Sequence, residues 1–285
     1  MMIQSNPASV LEAVSLTCGF PGFVLEPVSF SLGKGQILSL IGESGSGKTT
    51  LLRMIAGLEM PHSGQVFLQG RMVSGHMTWI PPEKRQIGMV FQDYALFPHL
   101  TVAQNIRFGL NRLPGSVQQQ RVTEELARVK LPGYESRYPH ELSGGEQQRI
   151  AIARALAPRP AILLFDEPFS NLDALTKEEL VRDIPQIIRE AGIPAIFVTH
   201  DVADALAISD QILILHKGHY IQYGTPEQVR TEPADAYVRR LMQTAGAAPD
   251  TTPIETLTGQ VLTRRHTPAG EEVVLRITPV PEPET

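Results

Sequence analysis

Eight consecutive residues, Gly42-Glu43-Ser44-Gly45-Ser46-Gly47-Lys48-Thr49, follow the pattern G-x-x-x-x-G-K-[ST]. The chemistry of that pattern is phosphate binding. Glycines let the backbone curl so that several N–H groups point inward at phosphate oxygens. Lys48 brings a point charge to the β- and γ-phosphates, and the Thr49 hydroxyl is an oxygen donor suited to Mg²⁺. A second run, Leu163-Leu164-Phe165-Asp166-Glu167, is apolar and ends in two acids. Asp166 is placed to hold Mg²⁺, and Glu167, one residue on, to polarise an attacking water. Two adjacent carboxylates beside a triphosphate need a cation, so Mg²⁺ is expected with the nucleotide.

Apolar strands must carry both groups. Gln36 to Ile41 reads as a strand leading into the glycine loop, and Thr50 to Leu58 as a helix leaving it. That helix adds its positive end to the cradle, with Thr50 among the contacts. Residues 10 to 41 read as strands, as do 65–68, 87–91, 161–165, 195–199, 211–215 and 219–222. Helical patterns are expected over about 93–157, broken at Pro98, Pro114, Pro132 and Pro139, and over 174–191 and 202–207. Apolar strands alternating with helices predict a largely parallel sheet covered on both faces.

Further motifs carry a family resemblance. Leu142-Ser143-Gly144-Gly145-Glu146-Gln147-Gln148 resembles the signature motif of ABC ATPases, which is more specific than a phosphate loop. Gln92, at a strand end, is similar to the Q-loop glutamine. Ser170-Asn171-Leu172-Asp173 resembles the D-loop, and His200 the switch histidine. The resemblance spans about residues 10 to 240. It implies an α/β fold, a P-loop NTPase ABC cassette with a RecA-like core, an antiparallel β subdomain and a helical subdomain. It also implies ATP and Mg²⁺ as ligands.

The resemblance assigns roles as well. Glu167 and His200 act with Lys48 and Gln92 in catalysis, and Gln92 joins Thr49 and Asp166 at the metal. Ser143, Gly144 and Gly145 present a hydroxyl and bare N–H groups at a helix start. The chain already holds one complete cradle, so this second one is expected to cover ATP on another copy, in a head-to-tail homodimer bridged by Asp173. The family stacks adenine on an aromatic residue. Phe20 and Phe23 are both candidates, Phe20 the favoured one, although Gly19-Phe20-Pro21-Gly22-Phe23 departs from the usual tyrosine-glycine form.

The resemblance is strongest to importers served by a periplasmic solute-binding protein, through Leu96-Phe97-Pro98-His99-Leu100-Thr101-Val102 and Asp166 to Asp173. Ferric iron is the leading solute, with polyamines, thiamine, sulfate, molybdate and sugars as alternatives. Integral-membrane permease subunits are implied partners, contacted through Asp93 to Leu100. The location implied is peripheral, on the cytoplasmic side of the inner membrane. One rival is an ABC ATPase acting on nucleic acid or ribosomes. A module that binds ATP without turnover is another.

Composition bears on these rivals. The 285 residues carry 25 basic and 30 acidic side chains, a net charge of -5, which gives no support to nucleic-acid binding. The single cysteine, Cys18, excludes an intramolecular disulfide and a cysteine zinc cluster. The N-terminal residues show no secretory pattern, and no apolar run approaches the roughly 20 residues of a membrane helix. The expected organisation is a cassette over 8–242, a linker over 243–253, and a short β extension over 254–285. That extension is similar to a remnant of a regulatory domain.

Overall fold

The computed structural model describes residues 9–246, 258–267 and 270–278. The chain divides into two compact units, Met1–Ala245 and Gly246–Thr285.

The first unit is built on two sheets. The hairpin β1 (Ser9–Phe20) and β2 (Phe23–Gly33) leads into β3 (Ile37–Ile41), which is buried at all five positions. Helix α1 (Lys48–Ala56) follows the glycine loop, then β4 (Ser63–Leu68), β5 (Arg71–Gly75), β6 (Thr78–Trp79) and β7 (Ile87–Val90). A helical segment carries α2 (Val102–Arg107), α3 (Gly115–Arg128) and α4 (Gly144–Leu156). The chain then alternates through β8 (Ile162–Asp166), α5 (Ala174–Ala191), β9 (Ala195–Val198), α6 (Val202–Ile208) and β10 (Gln211–His216). It closes with β11 (His219–Gly224), α7 (Pro226–Thr231) and α8 (Ala236–Gly246).

The larger sheet has the order β11-β10-β3-β9-β8-β7. Its five strands from β10 to β7 run parallel, and β11 is an antiparallel edge. The smaller sheet, β2-β1-β4-β5-β6, is antiparallel. Near-continuous apolar strands are what burial on both faces requires. One core cluster joins the helical segment to α5 and the β8–β9 side, where the Phe165 and Phe197 rings stack at 4.2 Å. A second packs α1 between the two sheets, and a third lies under α6, α7 and α8.

Parallel register sets the position of the site. Leu40 pairs with Val198, and Val198 with Asp166. The strands β3, β9 and β8 therefore end level with one another, and the segments that follow them emerge along one edge. In open α/β sheets that edge, outside the carboxyl ends of the strands, is where ligands bind.

Some elements differ from the sequence expectation. Helix α1 begins at Lys48, so the last two residues of the glycine motif already belong to it, and it stops at Gly57 (φ 80). Residues 93–101 are not helical. Tyr94 and Ala95 have φ of 61° and 47°, and the buried Asn105 amide donates to the carbonyls of Phe97, Leu100 and Thr101. A side chain thus takes over the acceptors that a helix would satisfy with backbone N–H groups. Residues 243–246, expected in a linker, complete α8, and most of that expected linker lies outside the described residues. The hairpin β5–β6 and helices α7 and α8 are additional to the elements expected from the sequence.

The second unit contains β12 (Thr258–Thr267) and β13 (Gly270–Thr278), an antiparallel pair in which Thr267 faces Gly270 and Thr258 faces Thr278.

Candidate nucleotide site

The glycine loop is held from below. A Cβ on Gly42 would overlap the Leu215 carbonyl, so only glycine lets β3 turn so close to β10. Gly47, at φ 105, precedes the first helical residue, and a Cβ there would press on Leu25 and the Phe23 ring. The Gly218 N–H donates to the Ser46 carbonyl at 3.2 Å, tying the β10–β11 turn to the loop. Three N–H groups of the first turn of α1 have no intrahelical acceptor and are open to an anion.

Lys48 Nζ donates to the carbonyls of Gly42 (2.7 Å) and Glu43 (2.9 Å). Burial lowers its pKa, with the charges of Glu167 and Asp166 pulling the other way. The Thr49 hydroxyl donates to Asp166 Oδ1 at 3.3 Å. Burial raises the Asp166 pKa; the Thr49 bond opposes this, and the Glu167 carboxylate adds to it. Among the described residues, Ser46 Oγ is buried with no hydrogen-bond partner.

These observations test the fit of a nucleotide with Mg²⁺. The ammonium is parked on neutral carbonyls, an arrangement that an anionic phosphate would improve. A hydroxyl and a buried carboxylate in contact are hard oxygen donors of the type Mg²⁺ takes. No group of three or more His, Cys, Asp or Glu that could hold a metal occurs among the described residues. The residues fit both ligands.

Glu167 stands at φ 47, a left-handed conformation that costs a non-glycine residue free energy. Its N–H donates to the Val198 carbonyl at 3.0 Å, and its carbonyl accepts from Ser170 Oγ at 2.9 Å. These bonds aim its carboxylate at His200, whose Nδ1 lies 3.2 Å from Glu167 Oε2. A pocket of about 470 Å³ joins Phe20, Phe23, Ser44, Gly45, Gly47, Lys48, Thr49, Thr50 and Glu167. A smaller cavity of about 150 Å³ is also lined by Glu167, together with His200, Asp201 and Asp204.

Other expected site residues stand apart. Gln92, Ser143, Gly144, Gly145 and Asp173 do not line the 470 Å³ pocket. The Gln92 carbonyl accepts from Asn171 Nδ2 at 3.0 Å, which ties it to the segment before Asp173. Asp173 caps α5 by accepting from the Thr176 N–H at 3.1 Å. Ser143 caps α4 in a capping box with Glu146, whose other carboxylate oxygen accepts from the Tyr134 hydroxyl at 2.7 Å. Gly145 packs against Thr176 with no room for a Cβ. Glu43 faces His216 at 3.8 Å, and the His216 ring packs on Tyr237 with centroids 4.0 Å apart.

Sequence reasoning missed two cations, Arg85, which is buried, and Lys177, which is half-buried. Arg85, 2% exposed, donates to the carbonyls of Ile80, Met54 and Ile55, the last two at the end of α1. Burial pushes its pKa down to about 10. Lys177 pairs with Asp201 and Asp204. Its signal was available: a lysine in the first turn of a helix opposes the helix dipole and needs a carboxylate nearby.

A glycine loop between a parallel strand and a helix, faced by a strand-end carboxylate pair, defines a P-loop nucleoside-triphosphate-binding protein. A family model described as ABC transporter matches residues 25–170. The chain belongs to the ABC transporter family, and its fold is the ABC cassette. It is 42% identical over 230 residues to the Fe(3+) ions import ATP-binding protein FbpC of Escherichia coli K12, covering 80% of this chain and 65% of that protein. It is 45% identical over 234 residues to the spermidine/putrescine import ATP-binding protein PotA of Nitrosospira multiformis, covering 81% of this chain and 63% of that protein. The chain thus spans under two thirds of the length of these relatives. Its fold is similar to that of cbiO1 from Clostridium perfringens, part of the ABC transporter complex cbiONQ. The TM-score is 0.72 with 28% identity, covering 79% of this chain and 92% of that one.

Proposed function

We propose that this chain is the ATP-binding and ATP-hydrolysing subunit of an ABC importer. The observation that carries the reading is the Glu167–His200 pair at 3.2 Å, set on the edge that also holds Lys48, Thr49 and Asp166. Lys48 and the loop N–H groups grip the phosphates, and Phe20 offers an exposed ring beside them. Thr49 and Asp166 would hold Mg²⁺, with Gln92 as the proposed further ligand, and the ion when bound would supply positive charge against the phosphate oxygens. Glu167 takes the proton of the attacking water, and His200 orients that carboxylate and the γ-phosphate.

The copy works as a head-to-tail homodimer. Ser143, Gly144 and Gly145 form a second anion-facing helix start outside the chain's own pocket, which leaves them for the nucleotide of a second copy. Asp173 lies in the same contact. A partner permease docks on an apolar groove of about 610 Å³, lined by Phe91, Ala95, Phe97, Phe108 and Pro158 with Arg154 at one side. This groove includes part of the 93–100 segment. No helix among the described residues is long and apolar enough to cross a membrane, which suits a peripheral subunit on the cytoplasmic face of the inner membrane. A periplasmic solute-binding protein delivers the solute. Ferric iron is the favoured solute and a polyamine the alternative, in line with the names of the two relatives.

The test is Glu167→Gln. Hydrolysis should fall by at least about 100-fold while ATP binding persists, and the variant should accumulate as an ATP-bound dimer. Undiminished hydrolysis in this variant sinks the enzymatic reading. Uptake assays with the co-purifying permease, comparing ferric iron with spermidine, separate the two solutes.

A further inference from the structure

His200 is 63% exposed at its side chain, and among the described residues its ring has one hydrogen-bonded contact, Glu167. Packing around the imidazole therefore does little to hold it. Its position depends on the backbone between Thr199 and Asp201. The Asp201 N–H donates to Thr199 Oγ1 at 3.0 Å, and Asp201 Oδ1 accepts from the N–H groups of Ala203 (2.9 Å) and Asp204 (3.3 Å), capping α6. The other carboxylate oxygen of Asp201 pairs with Lys177 Nζ, which also reaches Asp204 Oδ2 at 3.0 Å.

Lys177 belongs to the first turn of α5, where the helix dipole disfavours a cation. Two carboxylates offset that cost, and the Asp204 carboxylate is almost buried. Each carboxylate in turn needs the lysine. Without it, Asp201 and Asp204 face each other at the start of α6, partly out of water, with no cation between them. An isolated surface pair would be worth little, but a half-buried cation shared by two acids is a network. The same cavity of about 150 Å³ is lined by Glu167, Ser170, Lys177, His200, Asp201 and Asp204, so the network abuts the reacting pair.

We infer that Lys177 is a positioning residue that latches the first turn of α5 to the first turn of α6 and so holds His200 within reach of Glu167. Helix α5 is capped by Asp173, whose segment is tied through Asn171 to the Gln92 carbonyl. The latch makes Asp173 and His200 parts of one body, and a displacement at either is passed to the other.

The inference rests on the proposed roles of Glu167 and His200. Its test is steady-state MgATP hydrolysis by the full chain carrying Lys177→Met, Lys177→Arg, Asp201→Asn, or the Met and Asn changes together. Lys177→Met should lower kcat by about 10-fold or more with KM within about twofold, because nucleotide binding does not use this network. Lys177→Arg should restore at least half of the wild-type kcat. The double variant should be no more than about twofold slower than the slower single, since both remove one interaction. Should Lys177→Met fail to fold, Asp201→Asn keeps the α6 cap acceptor and interrogates the same ion pair. A kcat within twofold of wild type in both single variants overturns the latch, as does a loss shared equally between kcat and KM. Glu167→Gln, assayed beside them, tells the two failures apart. If it hydrolyses ATP normally, the catalytic reading falls and the latch with it; if it is inactive while the Lys177 variants are fast, only the latch falls.

Discussion

Among the described residues, the starts of α1 and α4 are the two proposed to face an anion, and they are not equivalent. At α1 the glycine loop wraps the helix end, Lys48 is buried beside it, and the acids Asp166 and Glu167 stand opposite. At α4 there is no lysine in the motif. Ser143 spends its oxygen on the Glu146 N–H, and the Glu146 carboxylate occupies the Ser143 N–H at 2.8 Å. The first is a complete cradle within one chain. The second is self-capped, leaves a hydroxyl proton and few N–H groups to offer, and has no reactive carboxylate pair beside it. A site of that kind adds to a ligand already held elsewhere, and the difference between the two starts is the physical argument for a composite pocket.

The comparison breaks most visibly in mixtures. Lys48→Ala should abolish ATP binding, whereas Ser143→Arg should leave binding intact and abolish hydrolysis, each by at least about 100-fold in kcat/KM. In a head-to-tail dimer, a Lys48→Ala copy paired with a Ser143→Arg copy places both defects in one pocket and leaves the other pocket whole. Mixing the two inactive proteins should then recover hydrolysis, to about a quarter of wild type if copies exchange freely and the pockets act independently. No recovery on mixing, with exchange verified, removes the composite pocket and leaves the signature residues as a structural cap.

The two helices also differ at their far ends, and there the expected effect is smaller. Both end against an arginine. Arg85 is buried and gives three hydrogen bonds, two of them to carbonyls at the end of α1, whereas Arg121 gives one, to Ala157 after α4, at 3.1 Å. Replacing Arg85 with methionine leaves buried carbonyls without donors and should cost about 3 kcal/mol of unfolding free energy, against about 1 kcal/mol for Arg121→Met. Urea unfolding of the two variants measures the difference. Equal costs mean that α1 is anchored by its glycine loop alone.

What the sequence made legible follows the same physics. The α1 cradle and the carboxylate strand are contiguous in the chain, so spacing alone places Lys48 near Thr49 and Asp166 beside Glu167. Their meeting across the sheet, with β3 beside β9 and β9 beside β8, needed the parallel topology that apolar strands and intervening helices imply. What stayed hidden is non-local. Lys177 and Asp201 are 24 residues apart and Arg85 reaches back 31 residues to Met54, and no local pattern encodes such pairings. Residues 93–101 read as helical because their apolar spacing fits. Asn105, inside the next helix, turns its amide back on them and fixes a loop instead. The short hairpin β5–β6 and the short helix α7 carry too few periodic positions to stand out.

The smallest expected effect distinguishes two aromatic residues within the first cradle. Phe20 and Phe23 pair across the end of the β1–β2 hairpin, and both line the nucleotide pocket. Their surroundings differ. The Phe23 ring is partly buried, packs on the second core cluster, and sits where a Cβ on Gly47 would touch it at 3.0 Å. Phe20 is 43% exposed, with a face available to a base. Stacking contributes about 1 kcal/mol beyond area burial, which is a factor of about five in affinity. Phe20→Ala should therefore weaken ATP about fivefold and leave tripolyphosphate, which has no base, unchanged. Phe23→Ala should weaken both ligands together, because it loosens the support under Gly47 and with it the phosphate loop. Fluorescence or calorimetric titration of the two ligands reads the pattern. If Phe20→Ala weakens tripolyphosphate as much as ATP, the exposed ring is part of the loop's scaffold and adenine is stacked elsewhere.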